Sequence, residues 1–529
     1  MPAAATSDNA PADNAPAHPG PTAAMPGQRP PSLRWALAGL SLSMLLSSLG
    51  TSSANVALPT LARELHASFQ ATQWVVLAYL LAITASIVTA GRLGDVFGRK
   101  RLLRVGLLLF TVGSALSAVA PSLPALLAAR AVQGGGAAIM MALTVAFVSD
   151  VFPKAQTGRA MGLLGTMSAV GTALGPSVGG LLIAQLGWRA IFLVNVPLGV
   201  LALLLAQRHL PADRAAARPT HGTSAPSVTR QVDLLGTALL AVTLGLYALA
   251  MTLGRGHFGA LNAGLLLAAA VGACLFALVE RRVSAPLLSM RMFRQPALNA
   301  SLASNFLVSA VLMSTLIVGP FYLSLGLGLP AAAVGLVMSV GPVVAAVSGV
   351  PAGRGVDRFG PERMSTLGLA AIAVGALLLS AAPVALGVLG YVAPLGVVTA
   401  GYALFQAANN TAVMRDASAG ERGVVSGTLT LSRNLGLVTG ASVMGAVFAL
   451  ASGTRDVTLA APLAVTMGMR VTFALGAALA AVAIGLFALA RAHDARRVSD
   501  EQASARQALT GQAGAQPVSL GASLDAAGE

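Results

Sequence analysis

The feature that most constrains this chain is a succession of apolar runs, each long enough to cross a bilayer, between residues 33 and 490. A hydrocarbon core of ~30 Å takes about 20 apolar residues in helical form, because lipid offers no partner for an unsatisfied backbone group. Runs of that kind fall at 33–58, 72–91, 102–120, 123–148, 160–184, 190–207, 234–254, 260–280, 298–325, 331–352, 365–384, 387–412, 424–451 and 467–490. Gly187 and Trp188 leave room for only a very tight turn between the fifth and sixth. Composition agrees: 56% of the 529 residues are hydrophobic and only 10% charged, where a soluble domain carries about 25%. The 58 glycines suit helices that approach closely in lipid.

Charge sets the expected orientation. The net charge of +15 is not spread as a nucleic-acid-binding face. Most basic residues fall in alternate loops, from Arg92, Arg99, Lys100 and Arg101 through Arg354, Arg358, Arg363 and Arg415. The opposite loops keep only Arg63, Arg189, Arg255, Arg455 and Arg470. The positive-inside rule then places both termini in the cytoplasm and the chain in a bacterial inner membrane. Residues 1–32 and 491–529, rich in small and polar types, read as cytoplasmic tails, the first disordered. The single cysteine, Cys274, excludes an internal disulfide and reads as a packing residue. Trp35 and Trp74 read as interfacial anchors.

The chain repeats itself. Gly91-Arg-Leu-Gly-Asp95-Val-Phe-Gly98, followed by Arg99, returns as Gly353-Arg-Gly-Val-Asp357-Arg-Phe-Gly360. Gly158, Gly162, Gly171 and Gly175 have counterparts in Gly423, Gly427, Gly436 and Gly440. Two related halves are the mark of parallel-repeat carriers. They divide the chain into a six-helix bundle at 33–207, a cytoplasmic linker at 208–233, an extra helix pair at 234–280 and a second bundle at 281–490. In each repeated loop the glycines permit a tight interhelical turn, and the aspartate at a helix end can hold an arginine or a neighbouring helix N-terminus. Such a clasp can lock one conformation and release it in another.

These motifs resemble the major facilitator superfamily. Gly91 to Arg101 looks like its signature cytoplasmic loop, Arg130-Ala-Val-Gln133-Gly134-Gly-Gly136 like its fourth-helix motif, and Gly171-Thr-Ala-Leu-Gly175-Pro176-Ser-Val-Gly179-Gly180 like its antiporter motif. Trp188 to Pro197 and Asn55-Val-Ala-Leu-Pro59 are similar to segments of the fourteen-helix drug:proton antiporter branch, the EmrB/QacA type. The resemblance implies an all-α major facilitator fold of two six-helix bundles plus two extra linker helices. It implies a secondary active transporter, a multidrug or toxic-metabolite exporter working by alternating access with protons as coupling ion, and neither enzyme nor cofactor-dependent. A periplasmic adaptor and outer-membrane channel are compatible partners. A permease for one metabolite and a non-transporting sensor of the same fold are the alternatives.

Arg130 lies inside a span, where a cation costs ~2.5–3.5 kcal/mol on insertion scales and so needs a partner or a wet cavity. With Gln133 one turn on, it reads as a substrate or proton residue; the competing reading is a side chain that snorkels to the outer surface. Pro176 kinks the fifth helix, and the glycines around it admit a close partner; the resemblance gives that segment the outward seal. One departure stands out. The antiporter branch carries an aspartate shortly before Asn55, and here Gly50 occupies that place. No other carboxylate falls mid-membrane in this assignment, so the interior is expected to be neutral or positive and to favour neutral or anionic amphipathic substrates over organic dications. Asn55, Gln133, Asn305, Gln406, Asn409, Asn410 and Arg433 are the other polar residues deep in spans, and as a set they are expected to line a shared interior.

A nucleotide-driven pump is disfavoured, because neither lysine, Lys100 nor Lys154, follows a glycine as a P-loop requires. His66, His257 and His493 are scattered, so no metal site is expected.

Overall fold

The structure, a computed structural model, describes residues 33–151, 154–211, 234–253, 259–283, 295–416, 422–453 and 457–513; side chains at some helical positions, among them Asp95, Asp150 and all those beyond 493, lie outside that description. The tail at 1–32, most of the linker at 208–233 and the stretch 514–529 lie outside it too.

Among the described residues, fourteen helices are long and apolar enough to span a membrane. They are α1 (Leu33–Glu64), α2 (Phe69–Phe97), α3 (Arg99–Ala118), α4 (Leu123–Val151), α5 (Lys154–Leu186) and α6 (Ala190–His209). The pair α7 (Leu234–Thr252) and α8 (Ala260–Glu280) follows. The second bundle comprises α9 (Pro296–Phe321), α10 (Ala331–Phe359), α11 (Pro361–Ala381), α12 (Gly387–Asp416), α13 (Arg422–Thr439) and α14 (Pro462–Ala513). A π-helical turn at Gly440–Met444 carries α13 on to Ala451.

Two ends differ from expectation. The first helix runs through Pro59 to Glu64 rather than stopping at 58. The last does not give way to a tail at 491 but stays helical to Ala513. That stretch contains no glycine or proline before Gly511 and is rich in Ala, Arg and Gln, all good helix formers. At the other tight places glycine does what the turn requires: Gly98 (φ 95°), Gly187 (φ 80°) and Gly360 (φ 85°) all adopt left-handed backbone between consecutive helices.

The internal repeat reappears as packing. In the first half, Gly171 lies against the Leu45 carbonyl and Gly175 against the Ser52 side chain, so α5 meets α1 backbone to backbone. In the second half, Gly436 lies against the Phe306 carbonyl and Gly440 against that of Ala310, joining α13 to α9 in the same manner. The pairs α3–α4 and α11–α12 match likewise: Gly136 abuts the Phe110 backbone, and Gly368 that of Phe405. Any side chain at these four contacts would push two helices apart.

The bundles meet at the end opposite the basic loops. There Gly180 of α5 and Gly335 of α10 face each other so closely that a Cβ on Gly180 would stand 2.9 Å from the Gly335 Cα. Gln73 of α2 donates to the Ala441 carbonyl at 3.2 Å. Phe69, fully buried, sets its edge on Phe321 and Phe448 of the other bundle at centroid distances of 4.7 and 5.4 Å. This end is sealed.

The extra pair leans on both bundles. Leu240, Leu244 and Phe276 cluster with Leu431 of α13 and Leu81 of α2, and Trp74 of α2 donates its indole N–H to Thr252 at 3.0 Å. Trp74 is thus a strut between helices rather than a surface anchor. Cys274 is exposed on α8, so it packs against nothing in the protein interior.

Candidate functional site

Eight helices, four from each bundle, enclose a cavity of about 300 Å³. Its first wall carries Ser47, Ser48, Thr51 and Ser52 of α1 with Ser168 and Thr172 of α5. The facing wall carries Thr315, Thr399, Tyr402, Arg433 and Asn434, with Leu312, Leu316, Met338, Pro342 and Leu395 between them. The chemistry of the hydroxyls follows from helix geometry. A serine or threonine in a span bonds the carbonyl one turn back, since that acceptor is always within reach. Ser47 donates to Ser43 at 2.9 Å, Thr51 to Ser47 at 3.2 Å, Ser52 to Ser48 at 3.0 Å and Thr172 to Ser168 at 3.0 Å. Thr315 donates to Leu312 at 2.7 Å and Thr399 to Leu395 at 2.8 Å. Their protons are engaged, so lone pairs remain for a guest. Among the described lining residues Arg433 is the one charged group.

Arg433 also opens onto a second pocket of about 210 Å³, lined by Asn305, Gln406, Asn410, Met414, Leu429 and Thr430. Asn305 is 2% exposed. Its amide donates to the Leu429 carbonyl at 2.9 Å, which leaves its own oxygen buried without a partner. Gln406 bonds the Tyr402 hydroxyl at 3.0 Å, and its oxygen is likewise unpartnered, as is the Arg433 Nε.

Arg130 occupies a separate place. It is wholly buried between α4, α2 and α6 and cannot snorkel. Nε donates to the Val75 carbonyl at 2.9 Å and Nη1 to Gln133 Oε1 at 2.5 Å, while Gln133 in turn donates to Ser114 Oγ at 2.7 Å. The guanidinium lies 4.2 Å from the Tyr79 ring centroid and 5.7 Å from that of Phe192. No carboxylate joins this group among the described residues; Nη2 has no partner. Gly50 adjoins it, for a Cβ there would stand 3.2 Å from both the Tyr79 hydroxyl and Phe110 Cε2. The Tyr79 hydroxyl reaches back to the Ser47 carbonyl at 2.8 Å, tying the arginine's platform to the cavity wall.

At the basic end the two repeated loops differ. Arg99 donates to the Ala146 carbonyl at 3.4 Å, anchoring the first loop on α4. In the second loop Asp357 is exposed and makes no ion pair with a described residue. Nearby, Glu362 pairs with Arg415 at 2.6 Å, joining α11 to α12.

Residues 40–441 match the model of one family, the Major Facilitator Superfamily. The chain belongs to the major facilitator superfamily. Superfamily relatives include the uncharacterized transporter YebQ of Escherichia coli, 32% identical over 77% of this chain and 86% of its own length. The multidrug efflux pump LfrA of Mycolicibacterium smegmatis is 32% identical over 79% of this chain and 82% of its own. Among solved structures, a bacterial homologue of the lysosomal transporter Spinster, inward-facing and occupied, superposes with a TM-score of 0.64 at 14% identity, over 88% of this chain and 98% of that one. The fold is that of an alternating-access major facilitator transporter with multidrug efflux pumps among its relatives.

Within this major facilitator fold the polar residues expected to share one interior divide into three. Asn305, Gln406, Asn410 and Arg433 meet in the second pocket. Arg130 and Gln133 form their own buried group. Asn55, bonded to the Thr51 carbonyl at 3.2 Å, and Asn409 are fully buried and line neither pocket. The antiporter-motif glycines line neither of these two pockets: Gly171, Gly175 and Gly179 pack against α1, while Gly180 and the Pro176 carbonyl meet Gly335 across the seal. The serine and threonine walls were not foreseen from sequence. Their signal was the crowding of Ser47, Ser48, Thr51, Ser52 and Ser53 in one apolar run.

Proposed function

We propose that this protein exports small amphipathic molecules, neutral or anionic, from the cytoplasm across a bacterial inner membrane. The observation that carries the reading is the central cavity: apolar faces for a hydrophobic body, hydroxyl lone pairs for its donors, and Arg433 as the charged group in the wall. The positive-inside rule supports basic loops and termini on the cytoplasmic side; on that reading the sealed end faces outward and substrate enters from inside. Relatives named as multidrug efflux pumps support export of more than one compound.

Alternation exchanges the Gly180–Gly335 and Phe69 contacts at the outer end for contacts between the loops of Asp95 and Asp357 at the inner end. Protons are the proposed coupling ion, with Arg130 and its neutral partners as the buried charge that responds. An adaptor and outer-membrane channel would carry the product onward. A permease for one compound is the second reading, favoured by the riboflavin transporter RibZ of Clostridioides difficile, 28% identical over 78% of this chain.

Inverted membrane vesicles from cells expressing the protein, energised and offered a panel of amphipathic dyes and antibiotics, test the proposal. Uptake of several neutral or anionic compounds, abolished by nigericin, is the expected result. Uptake of one compound alone would favour the permease, and strong export of ethidium or methyl viologen would overturn the charge preference.

A further inference from the structure

The pocket behind Arg433 is built differently from the cavity it adjoins. Along the cavity Ser47, Thr51, Ser52, Thr172, Thr315 and Thr399 already donate their protons to carbonyls of their own helices. In the pocket three of the polar residues, Asn305, Gln406 and Arg433, each have a buried atom that lacks a partner. Asn305 is decisive, because its orientation is not free. Only the amide nitrogen can donate to the Leu429 carbonyl, 2.9 Å away, so the unpartnered atom is an acceptor oxygen in a side chain 2% exposed. The same pocket is lined by Arg433, whose unpartnered Nε is a cationic donor.

A pocket that holds an orphaned acceptor and an orphaned cationic donor is complementary to a particular headgroup. A bare anion would satisfy Arg433 and repel the Asn305 oxygen. A neutral alcohol would satisfy Asn305 and leave the buried Nε of Arg433 unpaired, which is costly. A carboxylate with a hydroxyl or N–H on the adjacent carbon satisfies both: the carboxylate accepts from the guanidinium while the neighbouring O–H or N–H donates to Asn305 Oδ1. Gln406 accepts a second proton where one is offered. Because Arg433 lines both spaces, a molecule held this way by its head would lay its apolar body among Leu312, Leu316 and Met338.

We propose that this pocket is the headgroup subsite of the transport cavity and takes carboxylates bearing an α-hydroxyl or α-N–H donor. The inference rests on the export reading but deepens it by naming the chemical class. Arg130, wholly enclosed and bonded to Val75 and Gln133, takes no part in it.

Binding to the purified full-length protein in lipid nanodiscs tests the subsite with three matched probes: 2-hydroxy-4-phenylbutyrate, 4-phenylbutyrate and 2-hydroxy-4-phenylbutyramide. The hydroxy acid is expected to bind about tenfold more tightly than either of the others, the scale of one charge-assisted hydrogen bond. Arg433→Gln is expected to erase the preference for acid over amide, and Arg433→Lys to retain part of it. Asn305→Asp, which keeps the shape and places a second anion in the pocket, is expected to abolish acid binding while sparing the amide. Equal binding of the hydroxy acid and its amide, an acid preference that survives Arg433→Gln, or no binding of any probe would each overturn the subsite. None of those results touches export itself, which the vesicle panel decides separately.

Discussion

A side chain at Gly50 would press against Phe110 and the Tyr79 hydroxyl, with its Cβ 3.2 Å from each, beside the ring that supports the Arg130 guanidinium. A carboxylate there would lie beside a buried cation that is held only by neutral groups. Gly50→Asp is therefore expected to bring a proton-titrating acid to the edge of the cavity wall and to admit organic cations. Energy-dependent ethidium efflux should rise by about tenfold, the change that ~1.4 kcal/mol of added binding supplies; an unchanged rate would show that the cavity's charge is set elsewhere. At the surface the arithmetic is different. Glu362 and Arg415 are 40% and 56% exposed, and such pairs are worth under ~1 kcal/mol. Glu362→Gln should leave the melting curve in detergent nearly unmoved and less affected by added salt than the native protein's. Arg130 and Arg433 were legible in the sequence because a cation inside a span is conspicuous. The acceptor wall was not, because whether a hydroxyl in an apolar helix faces a cavity depends on which helix turns toward it.

At the scale of elements, close backbone contact decides which glycines matter. A Cβ on Gly175 would collide with Ser52, and one on Gly440 with the Ala310 backbone, whereas one on Gly135 would meet nothing within 4 Å. Gly175→Val and Gly440→Val should each destabilise by about 1–3 kcal/mol through overpacking, read as a lowered unfolding midpoint of the purified protein. Gly135→Ala should be neutral or slightly stabilising, since alanine favours helix over glycine by ~1 kcal/mol. A Gly175→Val that melts as the native protein does would mean that α5 and α1 are not held by this contact. The sequence made these helix pairs readable because the same glycine spacing occurs in both halves. It placed the last span at 467–490, close to the apolar Pro462–His493, but not the helix beyond it, since apolarity marks where a span stops and is silent on whether the backbone stays helical.

For the whole molecule, the seal between bundles depends on two glycines that face each other. A Cβ on Gly335 would collide with the Pro176 carbonyl and approach Gly180. Gly335→Leu should wedge the outer end open and shift the population toward the outward-facing state. In a Cys274→Ser background with Thr315→Cys in the cavity, a membrane-impermeant maleimide added on that side should label Gly335→Leu about tenfold faster than its parent, reporting a shift of ~1.4 kcal/mol. Equal labelling would place the gate elsewhere. The two-bundle plan was legible from repeats and loop charge; the pairing of Gly180 with Gly335 was not, because contacts between halves leave no periodicity in either one.

The unbroken α14 has a practical meaning. It contains 52 residues, of which the span itself takes 32. The remaining 20 would extend as a rod of ~30 Å. Continuous with a bundle, a rod of that length acts as a lever: tilting the bundle by about 10° would sweep its tip through about 5 Å. A label placed near Ala513 would then register the rocking of the second bundle as a displacement outside the bilayer, where spectroscopic distances are easiest to measure.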